Sequence, residues 1–515
     1  MAQRFLQTAV VVDDEAHMAR GETNGPRAEV VAPSRHTPPS RRDDQGPVGR
    51  GPMHTLNAGS ITDSFSALGV ICGVVGPTGS AMETMRQADI VVLDWLLQDG
   101  DPRYALELLR GLLAGEVDRN SLRLVAIYTG EARLEEICAA VSAELKEAGL
   151  DPVENETKTE VSYRHGRVVL YAKSGVNLAE PLRERSVAEE EFPGRLVEDF
   201  ASMTEGLLPG IALTSLSAVR EGEHKILDRF CAELDPAFLA YMACLPDPED
   251  AERQIVTHVA EELRGLMDNA VADESPAGVK VVEGWIRCKG DRGAGFRFGE
   301  RELDLQQTVE LATKGLEASD LGKSAFKHLS AGFAGCDVVD LDEQLAWIMS
   351  FRTVFNAPPP TLWLGSVVTT VTDTKEAHLI CMRPRCDCVR LDKETTFNFL
   401  PLVAPSKFKE FKDLKIKEQV VTKVGEEFMR LGIGLDPSGW ILRQFQPTGD
   451  NRAVIATRRE PDGGFEFTDA CGTRYVWQGE LKAEYAQRIA QTFATTLSRV
   501  AVDESEWLRR MAGRG

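Results

Sequence analysis

Four apolar runs in the first 175 residues end in groups that could do chemistry. Residues 6–12 lead to Asp13 and Asp14, residues 90–93 to Asp94, residues 122–128 to Thr129, and residues 167–172 to Lys173. A short apolar run bounded by polar residues reads as a buried parallel strand. The carboxyl ends of such strands share one edge, where open α/β sheets place their chemistry. Three carboxylates at one edge concentrate negative charge and hard oxygen ligands, which suits Mg²⁺. That ion would offset the repulsion between a carboxylate nucleophile and an incoming phosphoryl group. Asp94 is then the nucleophile, forming an acyl phosphate. Lys173 would pair with one phosphoryl oxygen as a compact cation. The Thr129 hydroxyl would bond another oxygen and so sense the modification. Alone, Asp13-Asp14 would read as a solvated loop after a strand; the other three positions turn the reading toward a site.

The elements that must position these groups follow from periodicity. Strands are expected at 6–12, 70–75, around 90–93, 122–128 and 167–172. Helices are expected from Ser60 to Leu68 (closed by Gly69), at 80–88, 104–113, 132–148 and 194–207. Five strands alternating with five helices imply a flavodoxin-like, doubly wound α/β fold with a five-stranded parallel sheet. We assign it to residues 1–208. Residues 17–58, rich in Pro and Gly, read as a flexible insertion within it. Residues 209–350 read as mostly helical, with 250–270 the best segment. Residues 351–515 read as an α+β module of unknown function. Its strands are expected at 361–370, 378–382, 388–391, 397–403, 441–445 and 453–457, with a closing helix at 480–500.

With the strand ends in place, the chain resembles the receiver domain of two-component response regulators. The resemblance covers about residues 6–208. It rests on Val12-Asp13-Asp14-Glu15, Val92-Leu93-Asp94-Trp95, Ile127-Tyr128-Thr129-Gly130 and Ala172-Lys173-Ser174. It implies that Asp94 accepts phosphate from a sensor histidine kinase, with Mg²⁺ held by Asp13, Asp14, Asp94 and the main-chain carbonyl of Leu96. The chain departs from the family at several points. Insertions occupy 17–58 and 149–166, and Ser174 stands where proline is usual. Leu170 occupies the place of the switch aromatic, and Tyr171 lies one residue off. The phosphorylation chemistry is therefore expected to be kept more faithfully than the conformational switch.

A wider resemblance is to receiver proteins encoded in bacterial conflict and anti-phage loci. It is carried by Ala67-Leu68-Gly69-Val70-Ile71-Cys72, Leu93-Asp94-Trp95, Ala126-Ile127-Tyr128-Thr129-Gly130-Glu131, Cys386-Asp387-Cys388-Val389-Arg390, Phe399-Leu400-Pro401-Leu402 and the stretch from Leu497 to Leu508. It implies anti-phage defence signalling. The protein could act on a separate effector, drain a kinase as a phosphate sink, or gate an enzyme in its C-terminal half.

Composition bounds the rest. A 515-residue chain with 43% hydrophobic and 27% charged residues is globular, of two to four domains. Its net charge of −21 disfavours nucleic acid or anionic membrane as partners. No apolar run is long enough to span a bilayer, and no signal-peptide core opens the chain. Ten scattered cysteines suit a reducing cytoplasm. A homodimer stays open. His378, Cys381, Cys386 and Cys388 could hold zinc, but C-x4-C-x-C is not a usual zinc spacing. Residues 376–391 read better as a hairpin turning at Arg383-Pro384-Arg385. No helix-turn-helix with basic recognition residues is visible, and no nucleophile, base and metal set stands out after residue 208.

Overall fold

A computed structural model describes residues 2–14, 56–97, 101–114, 122–164, 166–291, 296–318, 321, 328–336, 338–353, 358–372, 375–403, 419–425, 427–434, 439–448, 452–460 and 463–497. The chain divides into two compact units, Met1–Arg292 and Gly293–Gly515. The helical stretch read at 209–350 therefore falls on both sides of that divide. The flexible insertion read at 17–58 lies outside the described residues up to position 55.

The first unit is built on a mixed sheet. Its strands are β1 (Thr8–Val12), β2 (Ile71–Val75), β3 (Ile90–Leu93), β4 (Arg123–Thr129), β5 (Val153–Glu154), β6 (Glu160–Tyr163), β7 (Gly166–Lys173) and β8 (Ser186–Val187). Spatial order is β2-β1-β3-β4-β7-β6-β5, with β8 also paired to β7. The five strands read from periodicity are the parallel part, β2-β1-β3-β4-β7. The expectation of a five-stranded sheet is corrected. Residues 149–166, read only as added length, form β5 and β6, which pair antiparallel, and β8 adds a parallel pair at the end of β7. These strands span two to four residues, too few for period-two alternation to register in the sequence.

Helices α1 (Ala58–Ala67), α2 (Ala81–Gln87), α3 (Pro102–Ala114), α4 (Leu134–Glu147) and α5 (Phe192–Met203) cover both faces of the sheet. Alternate residues of each strand feed two cores. Val10, Val91, Val125 and Leu170 pack with Met85 of α2, Leu109 of α3 and Ile137 of α4. Val11, Val92, Ala126 and Tyr171 pack with Phe65 of α1 and Phe200 of α5. A sheet buried on both sides explains the near-continuous Val/Ile/Leu runs. Asn57 caps α1, its side chain accepting the N–H groups of Gly59 and Ser60, and Gly69 follows the helix end at φ 79.

Four more helices extend this unit: α6 (Leu207–Arg229), α7 (Asp235–Cys244), α8 (Asp250–Glu274) and α9 (Val279–Asp291). Leu213 of α6 is buried in the same core as Phe65 and Phe200. Arg220 of α6 makes a two-pronged ion pair with Asp89, the residue just before β3, at 2.9 and 3.1 Å. Its guanidinium also lies over the Phe5 ring.

The second unit opens with a hairpin, β9 (Phe296–Phe298) and β10 (Arg301–Leu303), inside the stretch read as helical. Helices α10 (Leu305–Lys314), α11 (Leu329–Ala334) and α12 (Val339–Ser350) follow. An antiparallel sheet comes next: β11 (Ser366–Thr372), β12 (Lys375–Cys381), β13 (Thr395–Val403), β14 (Gln419–Val424), β15 (Glu427–Ile433), β16 (Ile441–Phe445), β17 (Thr457–Arg458), β18 (Phe465–Thr468) and β19 (Arg474–Glu480). Helix α13 (Ala483–Leu497) closes it, burying Ile489 and Phe493. The hairpin expected at 376–391 is corrected: β12 pairs with β11 and β13, and Arg385–Asp387 is a 3-10 turn rather than the start of a strand. The β-rich run of 361–370 begins its strand only at Ser366.

Candidate functional site

Strand register brings the strand-end groups together. Val12 lies opposite Leu93 and Leu93 opposite Ile127, so Asp13 and Asp94 follow adjacent strands directly. The backbone agrees, with the Asp94 N–H donating to the Val12 carbonyl at 3.0 Å. Thr129 and Ala172 are partners at the ends of β4 and β7, which places Lys173 one residue beyond. Asp13, Asp94, Thr129 and Lys173 are all buried, and Asp14 is exposed.

Lys173 ties the site together. Its Nζ donates to Asp94 Oδ2 at 2.5 Å and to Asp13 Oδ2 at 3.1 Å. The other Asp94 oxygen, Oδ1, accepts the Leu96 N–H at 3.2 Å, which fixes the carboxylate's rotation. Thr129 Oγ1 accepts the Glu131 N–H at 3.1 Å, leaving its own proton to donate elsewhere. Lys173 Nζ also lies 6.0 Å from the centre of the Tyr128 ring.

Burial disfavours every charge here, and the pairing answers it unevenly. Burial pushes the Asp94 carboxyl above its ordinary range, and the Lys173 ammonium opposes this without cancelling it. Burial also works against the Lys173 charge, but the Asp94 and Asp13 carboxylates outweigh it and hold the ammonium above its usual value. The proton therefore stays on the lysine. The Tyr128 hydroxyl is pushed up by burial and donates to the Val187 carbonyl at 2.8 Å.

Among the described residues no group of three or more His, Cys, Asp or Glu side chains is gathered as a metal site. The chemistry of the donors still fits Mg²⁺. Asp13 and Asp94 are neighbouring buried carboxylates sharing a single ammonium, which leaves a net negative charge, Asp14 follows Asp13, and this ion commonly takes one or two carboxylates and keeps several waters. Three of the four possible zinc ligands have other surroundings. His378 Nδ1 is 2.8 Å from Thr369 Oγ1, the Cys388 thiol points to the Arg383 and Pro384 carbonyls, and Cys386 is exposed.

Spacing gave neither the direction of Tyr171 nor the place of Glu189 at the site. Tyr171, one residue from the place of a switch aromatic, points into the α5 side of the sheet. There its hydroxyl donates to Asp199 at 2.8 Å and the Arg185 guanidinium lies 4.9 Å from its ring. Glu189, between β8 and α5, interacts through space with Lys173 and Asp13. The only sequence sign of it was an acid run, Glu189-Glu190-Glu191, before a helix.

All ten cysteines are unpaired, and no helix among the described residues is long and apolar enough to cross a membrane. No match to the chain was found among curated proteins or solved structures. A family model described as the response receiver domain matches residues 5–178, the span that contains Asp13, Asp94, Thr129 and Lys173. The N-terminal unit of this chain thus carries a response receiver domain.

Proposed function

We propose that the first unit accepts a phosphoryl group on Asp94 from a sensor histidine kinase and works as a response regulator in the cytoplasm. The observation that carries this reading is the buried Asp13–Lys173–Asp94 bridge at the shared end of β1, β3 and β7. In the transfer, an Asp94 oxygen attacks phosphorus. The new P–O bond forms as the P–N bond to the donor imidazole breaks, and the electron pair returns to that nitrogen. Lys173, paired with Asp94 Oδ2 beforehand, moves its charge to a phosphoryl oxygen. The Thr129 hydroxyl donates to another. Asp13, Asp14, Asp94 and the Leu96 carbonyl would hold Mg²⁺, whose contribution is to neutralise charge during the approach. The test is phosphotransfer with a labelled kinase, followed by mapping of the label. Wild-type chain should carry it on Asp94, and Asp94→Asn should carry none. Equal labelling of wild type and the Asp94→Asn variant would overturn the reading.

The wider resemblance gives anti-phage signalling as the setting we propose. Within it, the lock on Tyr171 favours a phosphate sink over a switch, because an aromatic held by Asp199 and Arg185 on the α5 side is not free to follow Thr129. Hydrogen exchange with and without beryllium fluoride checks this. A sink shows protection confined to the strand ends, whereas a switch spreads it to α4 and α5.

A further inference from the structure

Glu189 belongs to none of the motifs that pointed to the site, yet the fold carries it there. β8 runs beside the end of β7, with Val187 opposite Lys173. The Tyr128 hydroxyl holds the Val187 carbonyl at 2.8 Å, so the chain leaving β8 starts at the site edge. Two residues on, the half-buried Glu189 carboxylate accepts the backbone N–H of Asn57 at 3.0 Å. Asn57 caps α1, and the helix that follows the first strand of a parallel sheet begins at the same carboxyl edge as Asp94. One backbone hydrogen bond thus anchors the Glu189 carboxylate at this edge. Burial raises its pKa and the Asn57 N–H works against that; through space the neighbouring Glu190 raises it further, Lys173 lowers it and Asp13 raises it.

We propose that Glu189 is a positioning residue of the phosphoryl site: a fixed negative charge that strengthens the hold on a divalent cation and weakens the hold on the phosphoryl group. It acts through Lys173 and Asp13 and makes no contact with the reacting atoms. The Glu189 carboxylate draws on the ammonium that the phosphoryl oxygens need, and it adds to the field that attracts Mg²⁺. This role rests on Asp94 being the acceptor.

Glu189→Gln separates charge from structure, because the amide oxygen can still accept the Asn57 N–H. Glu189→Ala removes both. Calorimetric titration of the full-length chain would measure Mg²⁺ alone, then beryllium fluoride at saturating Mg²⁺. In Glu189→Gln the dissociation constant for Mg²⁺ should rise and that for beryllium fluoride should fall, each roughly two- to fivefold for one partly screened charge. Glu189→Ala should show the same opposed shifts with a lower melting temperature. A purely structural Glu189 leaves both constants unchanged in Glu189→Gln, and either that result or a weakening of both overturns the proposal. A wild-type chain that binds neither probe overturns the acceptor reading itself. That outcome is distinct, since it appears before any variant is made.

Discussion

At the scale of single residues, the site is a problem in burying three charges at once. Asp13, Lys173 and Asp94 are nearly inaccessible, and each carries a desolvation cost that only its partners offset. Removing the cation should therefore hurt more than losing one hydrogen bond. Lys173→Met is expected to destabilise the first unit by about 3 kcal/mol in urea unfolding without metal, because it strands two carboxylates side by side. Adding Mg²⁺ should restore part of that loss by binding the folded form alone, and a variant indifferent to Mg²⁺ would contradict the assignment of Asp13 and Asp94 as its ligands. These residues were legible in sequence because each is a polar group placed directly after an apolar run. Glu189 was not, since its partner Asn57 is 132 positions away and no spacing rule connects them. Tyr171 was seen, but its direction was not: whether a strand residue faces α4 or α5 depends on a register that a one-residue shift reverses.

At the scale of elements, long buried strands were readable and short ones were not. β4 and β7 are seven and eight residues of nearly unbroken burial, and their limits lie within a residue or so of those expected. β5 and β8 are two residues each and owe their existence to the neighbours they pair with. In the second unit, β14, β15, β18 and β19 went unread, because β14, β15 and β19 do not alternate strictly and β18 is only four residues long. One strand pair there carries a pH signature. His378 of β12 sits opposite Thr369 of β11, buried, with Nδ1 held by the Thr369 hydroxyl. Burial lowers its pKa. A depressed histidine binds fewer protons folded than unfolded, so its effect is absent well above the unfolded value of about 6.5 and stability falls as pH drops through that value. Unfolding of the second unit measured at pH 7.5 and pH 5 should show this loss, and His378→Gln should flatten it. An unchanged slope in the variant would remove His378 as the cause.

At the scale of the whole molecule, two compact units divide a chain whose sequence suggested a break nearer residue 208. The glycine-rich stretch at residues 290–295, Gly-Asp-Arg-Gly-Ala-Gly, is a signal for that break, but its Gly293-Ala294-Gly295 reads in sequence only as a turn, and the hairpin that follows it is too short to register. What ties α6 to the receiver is tertiary: Leu213 in its core and Arg220 on Asp89, at the opposite end of β3 from Asp94. We expect residues 1–292 to fold with a higher melting temperature than residues 1–208, which would lose both contacts; equal melting temperatures would make α6 an independent appendage. The sheet of this unit also has a history written on its flanks. A five-stranded parallel sheet exposes two long margins of unpaired backbone, each an invitation to aggregate. Here one is sealed: β6 covers the first half of β7 and β8 its end, and the outermost strand on that side, β5, is two residues long. The other margin is β2, five residues including the outward-facing Ile71, paired on one side only. Among the described strands β2 is thus the one long edge of this sheet, the place where a covering segment or a charge would oppose cross-chain pairing.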